Sequence, residues 1–494
     1  MEFLLLIASI ILTGLYLWLR RPDPNLPPFP KRPLPLVGNL FHLADDSRPL
    51  FKRWRKQFGD IFSLNMGGTL VVVLNGFDVM KEAFVKKADA FSDRTPVFFD
   101  AATGIPEKGV AFSSGPEWKE QRSVALTILR KFGMGKNILV DKIQDVVSAY
   151  VDYLASQKGQ PTDIRTMTNI STCNVICAII IGHKFEFNDK EFQKLIAHLN
   201  STALDQKNVS LINYISWLKY LPGDLFFAKK ITLNVQVVLS LLKKFVAANR
   251  RTVVDFNDAG NFIEAYLAER NKKVQAGVST YMDDENLLKT IHELFGAGTE
   301  TTSTTIIWCV LYMINYPEMQ EKVYAEIMEE VGSSRLPNMQ DKTKLPYLNA
   351  VIMETQRLAS IVPLSLLHLC SENVTLKGYT IPKGTWIIPN LDSVLHDKAI
   401  WGKDAMSFKP ERFLDSTGKV QDREELIPFG IGRRVCLGEA LANMELFLFL
   451  SNMFQRFQFL PKDKTPPSCN VYRFGLTCAP YPFEVRILPR KQQE

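Results

Sequence analysis

The 494-residue chain lacks the compositional bias of fibrous, low-complexity or disordered proteins. Glycine and proline number 27 each, together about 11% of the residues, which is close to average usage. The seven cysteines are an odd number and are widely spaced, which argues against a disulfide framework and suits a reducing compartment. The closest pair, Cys173 and Cys177, lies in an apolar stretch with helical spacing, so we expect two buried small side chains there rather than a metal site.

Two patterns of nucleotide recognition are also missing. The net charge of +7 is accompanied by no Cys/His finger and by no basic helix with interleaved aromatic residues, which argues against a nucleic-acid partner. No glycine-rich dinucleotide-binding loop occurs, because Gly67-Gly68 fits a hairpin turn instead. The sequence therefore carries no motif for binding a dinucleotide.

The longest stretch without charge lies at the N-terminus. Residues 3–19 form a run of 17 uncharged, mostly apolar residues, the lower limit for spanning a bilayer. A secretory signal would begin with basic residues and end in a small-x-small cleavage site, whereas this segment begins after Glu2 and ends in Trp18-Leu19-Arg20. Because Arg20 and Arg21 follow it, we predict an uncleaved anchor with a lumenal N-terminus and a cytosolic remainder.

The rest of the chain reads as a proline-rich hinge followed by one large domain. Five prolines fall between residues 27 and 35, which favours a stiff, extended spacer. We predict an anchor at 1–21, a hinge at 22–38 and a catalytic domain at 39–494. Helical periodicity dominates this domain, so the expected fold class is mainly α with small β-sheets (α+β). The longest predicted helix is Asp284–Asn315, and the predicted strands are Ile61–Met66, Val71–Leu74, Val374–Leu376, Tyr379–Ile381 and pieces between Val471 and Leu488.

The segment PFGIGRRVCLGEA, residues 428–440, carries the most chemical information. Its glycines let the backbone turn tightly and approach a flat group. Cys436 comes directly before a predicted helix, where a thiolate gains from the helix N-terminus and from free backbone N–H groups. This arrangement would present a soft, anionic metal ligand.

The same segment resembles the haem-binding signature of the cytochrome P-450 family at Phe429-x-x-Gly432-x-Arg434-x-Cys436-x-Gly438. The similarity extends over essentially the whole chain and is closest to the animal, microsomal family-two branch. It implies a cytochrome P-450 fold with haem b, iron protoporphyrin IX, as the cofactor. It also implies that Cys436 is the axial thiolate, that Arg434 pairs with a haem propionate, and that Phe429 and Gly438 belong to the haem-binding loop.

Two further motifs support the resemblance. Glu354 and Arg357 lie at i and i+3 of a predicted helix and can form a charge-assisted pair. In the family this pair joins the arginine of a Phe-x-Pro-Glu-Arg-Phe segment, here Arg412, in a buried network that fixes the cysteine loop. We therefore expect Glu354, Arg357 and Arg412 to be structural rather than catalytic.

The second motif is Ala297-Gly298-Thr299-Glu300-Thr301-Thr302, inside the long helix. The Thr301 hydroxyl can bond the carbonyl of Ala297 and open the helix, while Gly298 removes side-chain bulk, which leaves room for a small ligand. An acid followed by a hydroxyl also suggests a short proton-delivery path. The resemblance implies that this is the oxygen-activation site, with Thr301 as the proton-relay hydroxyl and Glu300 as its acidic neighbour.

The resemblance also implies secondary contacts to the haem and a substrate pocket. Trp118, Arg122 and His368 are expected to reach the propionates. The expected pocket residues are apolar and comprise Phe98, Phe99, Val110, Phe112, Leu294, Phe295, Ala297, Val362, Leu366 and Leu476.

Taken together, these patterns predict a haem-thiolate monooxygenase of the endoplasmic reticulum membrane. It would hydroxylate or epoxidise a lipophilic substrate with O2, using NADPH through an FAD/FMN reductase, with cytochrome b5 as a further partner. An oxygen-independent haem-thiolate isomerase or dehydratase, a non-catalytic haem sensor and a tethered interaction protein remain as alternatives. The sequence leaves the substrate open among steroids, fatty acids and foreign compounds.

Overall fold

A computed structural model describes residues 2–19, 23–44, 46–133, 138–250 and 255–490. The fold is mainly α with small sheets, as predicted from the helical periodicity. The helices are α1 (Glu2–Leu19), α2 (Arg48–Phe58), α3 (Phe77–Lys81), α4 (Phe98–Ala101), α5 (Gly115–Lys131), α6 (Ile138–Ser156), α7 (Arg165–Ile180), α8 (Lys190–Val209), α9 (Ala228–Asn249), α10 (Phe262–Gln275), α11 (Asp284–Asn315), α12 (Pro317–Glu330), α13 (Pro346–Ala359), α14 (Asp392–Leu395), α15 (Lys398–Trp401) and α16 (Glu439–Arg456).

The strands form one five-stranded sheet and three two-stranded ones among the described residues. The large sheet has the order β1-β2-β7-β4-β3 and is antiparallel except where β2 meets β7. The predicted strands are confirmed, whereas β3, β4, β7 and β8 were not predicted. The strands are β1 (Ile61–Met66), β2 (Thr69–Leu74), β3 (Asp93–Arg94), β4 (His368–Leu369), β5 (Val374–Leu376), β6 (Tyr379–Ile381), β7 (Trp386–Pro389), β8 (Phe457–Pro461), β9 (Tyr472–Phe474), β10 (Cys478–Pro480) and β11 (Val485–Pro489).

Helix α11 crosses the middle of the core with the predicted bounds. The carboxylate of Asp283 caps its N-terminus by accepting a hydrogen bond from the Asn286 N–H (2.6 Å), and Pro317 begins the next helix. All side chains from 302 to 314 are buried, so this apolar run is core and not a membrane segment. The hydroxyl of Thr172 on α7 donates to the carbonyl of Thr299 on α11 (3.0 Å), which ties the two helices together beside the site.

Two helices are apolar along most of their length, with different surroundings. Helix α9 is long and apolar enough to cross a membrane, but Ile231, Val235 and Leu242 are buried in the main core, so it packs as a core helix. The described apolar side chains of α1, such as Phe3 and Leu12, are largely exposed. The basic pair at 20 and 21, on which the predicted orientation depends, lies outside the described residues.

The proline-rich segment does not stand free as a spacer. The carbonyl of Pro28 accepts a hydrogen bond from the Ser63 N–H of β1 (2.9 Å), and Asn39 bonds the backbone of Asn65. Proline cannot donate to a sheet, but its carbonyl can still accept at an edge strand. The segment is therefore docked along the edge of the large sheet.

Candidate functional site

A cavity of about 1240 Å³ lies beneath α11 and contains both predicted chemical motifs on its walls. Cys436 lines one side, and the turn 296–302 of α11 lines the other. The segment after β3, helices α8 and α9, and the loop before β10 close the remaining sides. Eight of the ten predicted pocket residues line it: Phe99, Val110, Phe112, Leu294, Ala297, Val362, Leu366 and Leu476.

The other two predicted pocket residues lie elsewhere. Phe295 is fully buried in the main core, because its position on α11 directs the side chain away from the cavity. Phe98 begins α4, where its N–H bonds the Asn213 side chain (2.7 Å) and its ring packs against the core. The sequence predicted which segments form the pocket but not which face of each segment is turned toward it.

The cysteine loop has the tight backbone that its glycines suggested. The Cys436 N–H donates to the carbonyl of Phe429 (2.9 Å), closing the loop on itself. Gly432 has φ +80°, and a Cβ there would overlap the carbonyl oxygen of Phe84. A Cβ at Gly430 or Gly438 would meet nothing within 4 Å, so both glycines face open space. The loop therefore offers an uncluttered surface on which a flat group could rest.

Cys436 is the only one of the seven cysteines whose side chain is exposed, and it opens into the cavity rather than to bulk water. Burial raises the pKa of its thiol, while the backbone N–H groups of Gly438 and Glu439 lower it. The expected help from the helix N-terminus is present, but desolvation outweighs it. The charge of Arg122 also lowers the pKa of the thiol, and burial outweighs this contribution too.

Arg434 is held firmly beside this loop by three neutral acceptors. Its guanidinium donates to the carbonyls of Ser92 (2.7 Å), Val110 (3.2 Å) and Ser113 (2.6 Å). The same group lies over the Trp118 ring, with 3.8 Å between the guanidinium carbon and the ring centre. Trp118 itself does not line the cavity. Its ring contacts the guanidinium of Arg434, which does.

Two more arginines, Arg94 and Arg122, lie near Arg434 at the cavity wall, and only Arg122 was predicted from the sequence. The guanidinium of Arg94 donates to the carbonyls of Leu366 and Leu367 (both 3.1 Å), and that of Arg122 donates to the carbonyl of Val435 (2.7 Å). Both line the cavity. Arg94 was missed because it lies in a two-residue strand, which leaves no periodic signal.

No carboxylate of the described residues forms an ion pair with any of these three guanidiniums. Burial and mutual repulsion lower the pKa of Arg94 to about 9 and that of Arg434 to about 8, and burial also lowers the pKa of Arg122. The buried indole N–H of Trp118 likewise has no hydrogen-bond partner within the described part of the chain. An anionic ligand with more than one carboxylate would satisfy all four groups.

His368 lies next to this cluster, in β4 opposite Arg94 of β3. Its Nδ1 pairs with the carbonyl of Phe91 (2.6 Å), and its ring packs against Phe84 at 4.7 Å between centres. Burial and the charge of Arg94 lower its pKa well below the usual range. The imidazole is therefore neutral, and its contact with a propionate remains a prediction.

In the α11 motif the Thr301 hydroxyl makes the predicted contact, whereas the Glu300 carboxylate contacts residues other than Thr301. The Thr301 hydroxyl donates to the Ala297 carbonyl (2.7 Å). The Glu300 carboxylate instead accepts from the hydroxyls of Thr304 (3.1 Å) and Thr477 (2.8 Å). Neighbouring residues of a helix do not face each other, so adjacency in sequence did not produce a direct contact between Glu300 and Thr301. Thr477, in the loop before β10, was not predicted.

Gly298 lines the cavity and also serves helix packing. A Cβ on Gly298 would lie 2.5 Å from Cδ1 of Ile176 on α7. The missing side chain therefore lets α7 and α11 approach closely. The room beside the Thr301 turn comes instead from Gly296, where a Cβ would meet nothing within 4 Å.

The predicted structural network is present and buried. Glu354 accepts hydrogen bonds from Nε of Arg357 (2.7 Å), Nε of Arg412 (3.0 Å) and the backbone N–H of Lys409 (2.9 Å). The side chains of Glu354 and Arg357 have no exposed surface. The network ties α13 to the segment that leads into the cysteine loop.

These residues fit haem b by their chemistry. The cavity offers a thiol at a helix N-terminus, an open glycine surface beside it, and three buried guanidiniums without carboxylate partners. Haem b carries iron, a flat macrocycle and two carboxylates, which match these three features in turn. The acid and hydroxyl groups of α11, Glu300 and Thr301, line the same cavity, where a proton could be delivered.

Comparisons with known proteins agree with this geometry. A family model described as "Cytochrome P450" matches residues 27–487. The human protein "Cytochrome P450 2U1" is 39% identical over 518 residues, covering 99% of this chain and 93% of that relative. The rat protein "Cytochrome P450 2D3" is 37% identical over 483 residues, covering 96% and 95% of the two chains, and the mouse protein "Cytochrome P450 2D9" is 36% identical over 493 residues.

Proposed function

The chain belongs to the cytochrome P450 family of haem b monooxygenases, and on that premise we propose that it hydroxylates or epoxidises a lipophilic substrate at the endoplasmic reticulum membrane. Its electrons come from NADPH through an FAD/FMN reductase, with cytochrome b5 as a further donor. The observation that carries the proposal is that the Cys436 thiol and the Ala297–Thr302 turn of α11 line the same cavity.

We assign the cofactor contacts to residues on the two sides of the cysteine loop. Cys436 holds the iron, and haem b, when bound, supplies the oxygen-activating chemistry. Arg94, Arg122 and Arg434 would hold the propionates, because they are partly buried cations of the cavity wall that form no ion pair with a carboxylate of the described residues. The positive charge of Arg122 also favours the anionic form of the thiol, which burial disfavours.

Proton supply falls to Glu300 and Thr301. Burial raises the pKa of Glu300, so its carboxyl holds a proton closer to neutral pH than an exposed glutamate does. The hydroxyl bonds from Thr304 and Thr477 fix its orientation. The Thr301 hydroxyl lines the cavity and donates to the Ala297 carbonyl, so it would have to release that bond to pass a proton into the cavity.

The cavity wall supports a lipophilic substrate. Most of its lining side chains are aliphatic or aromatic. Phe41 and Trp217 also line it and are 78% and 60% exposed, so the apolar surface continues to the outside. We infer that the substrate enters from a lipid phase, with α1 as a single-pass anchor at 1–21, the segment 22–38 as the link, and a cytosolic catalytic domain at 39–494.

The full-length protein, reconstituted with NADPH–cytochrome P450 reductase in phospholipid vesicles, tests the proposal. Testosterone, lauric acid and coumarin represent the steroid, fatty-acid and foreign-compound classes. The expected result is an NADPH-dependent product that carries one atom of ¹⁸O from ¹⁸O2 with at least one of them. Loss of the reduced, carbon monoxide-bound Soret band in Cys436→Ser would support the ligand assignment.

The alternatives give different results in the same assay. A haem-thiolate isomerase or dehydratase would form product without consuming NADPH and without ¹⁸O. A haem sensor would give the Soret band and no product. Retention of a normal carbon monoxide spectrum by Cys436→Ser would overturn the assignment of the thiolate.

A further inference from the structure

His292 is a polar side chain on the wall of an otherwise apolar part of the cavity. It lies on α11, two turns before Glu300, and is only 4% exposed. Its Nδ1 has no exposed surface and no hydrogen-bond partner among the described residues, so a molecule in the cavity can reach the ring only through Nε2. Nearly buried side-chain nitrogens almost always have a partner, and no described residue bonds either nitrogen, so the ring calls for a partner that the protein does not supply.

The neighbouring charged groups make other contacts. Lys289, one turn earlier on α11, forms a fully buried ion pair with Asp100 and also bonds the Thr103 hydroxyl (3.2 Å). On the other side, Oε2 of Glu293 accepts the backbone N–H of Val110 (2.7 Å) and that of the next residue. These contacts hold the segment after β3 against α11. Of the neighbouring polar atoms, Oε1 of Glu293 and the Thr290 hydroxyl remain buried without a partner among the described residues, and no hydrogen bond joins either of them to the imidazole.

The remaining surroundings of the ring are apolar and fix its position. The Phe99 ring stacks on His292 at 6.0 Å between centres and 26° between planes, and Phe112 packs on Phe99 at 6.1 Å. Both aromatic rings line the cavity. The imidazole is therefore held in one orientation, as a single polar group within an aromatic wall.

The charge state of the ring limits what it can bind. Burial and the nearby charge of Lys289 lower the pKa of His292 to about 3, so the ring is neutral. A neutral imidazole has one N–H donor and one acceptor nitrogen. It suits an uncharged oxygen such as a ketone or a hydroxyl, and it offers no positive charge to pair with a carboxylate.

We propose that His292 determines substrate specificity by hydrogen bonding one uncharged oxygen, a ketone or hydroxyl, on an otherwise hydrocarbon substrate. This rests on the proposed function, because it requires the cavity to be the substrate site. The residue binds and orients the substrate, and it takes no part in proton delivery. A hydrocarbon of the same shape leaves the ring without a hydrogen-bond partner and should therefore bind more weakly than the ketone or alcohol.

The test uses two matched ligands and the haem-loaded full-length enzyme. 5α-Androstan-17-one and its parent 5α-androstane differ in one ketone, and each is titrated by its perturbation of the Soret band. His292→Phe keeps an aromatic ring beside Phe99 but removes both hydrogen-bonding nitrogens. The Kd of each ligand is compared between the wild-type protein and His292→Phe, because the free energy of hydrating that ligand in water is then the same on both sides of the comparison.

We expect His292→Phe to raise the Kd of the ketone about 3- to 10-fold and to change that of the hydrocarbon less than twofold. His292→Gln, which retains a donor and an acceptor, should recover part of the ketone affinity. Leu294→Met, a control on the adjacent apolar wall, should shift both ligands by a similar factor. If His292→Phe does not load haem, His292→Leu replaces it in the same comparison.

An equal change for both ligands in His292→Phe would overturn the proposal, because it would mean that the ring acts by packing alone. Failure of both ligands to perturb the Soret band, with a normal reduced carbon monoxide spectrum, would contradict the cavity as a lipophile site and so overturn the proposed function as well. A response to both ligands that is independent of His292 would overturn the present proposal only.

Discussion

Replacing Glu354 with alanine is expected to prevent haem loading rather than to slow turnover. The carboxylate accepts four hydrogen bonds: two from Arg357 (2.7 and 2.8 Å), one from Arg412 (3.0 Å) and one from the Lys409 N–H (2.9 Å). Its removal leaves Arg357, which has no exposed surface, with only the Leu395 carbonyl as a hydrogen-bond acceptor. Breaking a buried pair in this way costs about 3–5 kcal/mol.

That cost is a large part of the stability of a typical domain, about 5–15 kcal/mol. The Glu411→Ala variant is the matched control, because Glu411 lies in the same segment and its partly exposed carboxylate contacts only Lys322 (3.2 Å) and the Tyr347 hydroxyl (3.3 Å) among the described side chains. Its loss should cost about 1 kcal/mol or less. Haem content per chain is measured as the pyridine haemochrome, and stability by urea unfolding. A fully haem-loaded Glu354→Ala protein, as stable as the control, would refute the reasoning.

Four further outcomes follow from individual contacts. Burial raises the pKa of Glu293 from its ordinary value of 4.5 to about 7, so between these pH values the folded protein holds a proton that the unfolded chain has released. The free energy of unfolding should therefore fall by up to about 3 kcal/mol as the pH rises from 4.5 to 7. Melting curves of Glu293→Gln should lack this dependence on pH. Arg94→Leu removes one of three unpaired cations and should speed haem transfer to apomyoglobin about tenfold, whereas an unchanged rate would contradict its assignment to a propionate. Thr477→Val removes a donor to Glu300 and should lower the ratio of product to NADPH consumed severalfold, with Thr477→Ser restoring it. Asn373 begins an exposed Asn-Val-Thr acceptor and should stay unglycosylated in microsomes if the domain is cytosolic; a mass shift with peptide N-glycosidase would reverse the orientation.

Local signals predicted the parts of the fold that local contacts create. Helix α11 has the predicted bounds because Asp283 caps its start and Pro317 stops its continuation, and both are short-range effects. The strands around Gly67-Gly68 were predictable for the same reason. The glycine-rich cysteine loop also closes through a bond between residues seven apart, from the Cys436 N–H to the Phe429 carbonyl.

Contacts between distant segments were not predictable in this way. Arg94 reaches the site because β3 pairs with β4, a two-residue ladder that joins Arg94 to His368 across 274 positions of the chain. Thr477 reaches Glu300 across 177 positions. Neither residue belongs to a periodic segment or to a motif, so no pattern within one stretch of sequence points to it.

The arginine cluster explains why folding and cofactor binding should be linked in this chain. Three guanidiniums at one corner of the cavity repel one another, and they are held there by backbone carbonyls instead of carboxylates. Neutral acceptors compensate the lost hydration of a cation only in part. The protein alone therefore carries an electrostatic cost that a ligand with two carboxylates removes, and a ligand that binds only the folded state stabilises it by mass action. The free energy of haem binding in this chain should therefore come partly from the haem propionates, and not only from the Cys436–iron bond.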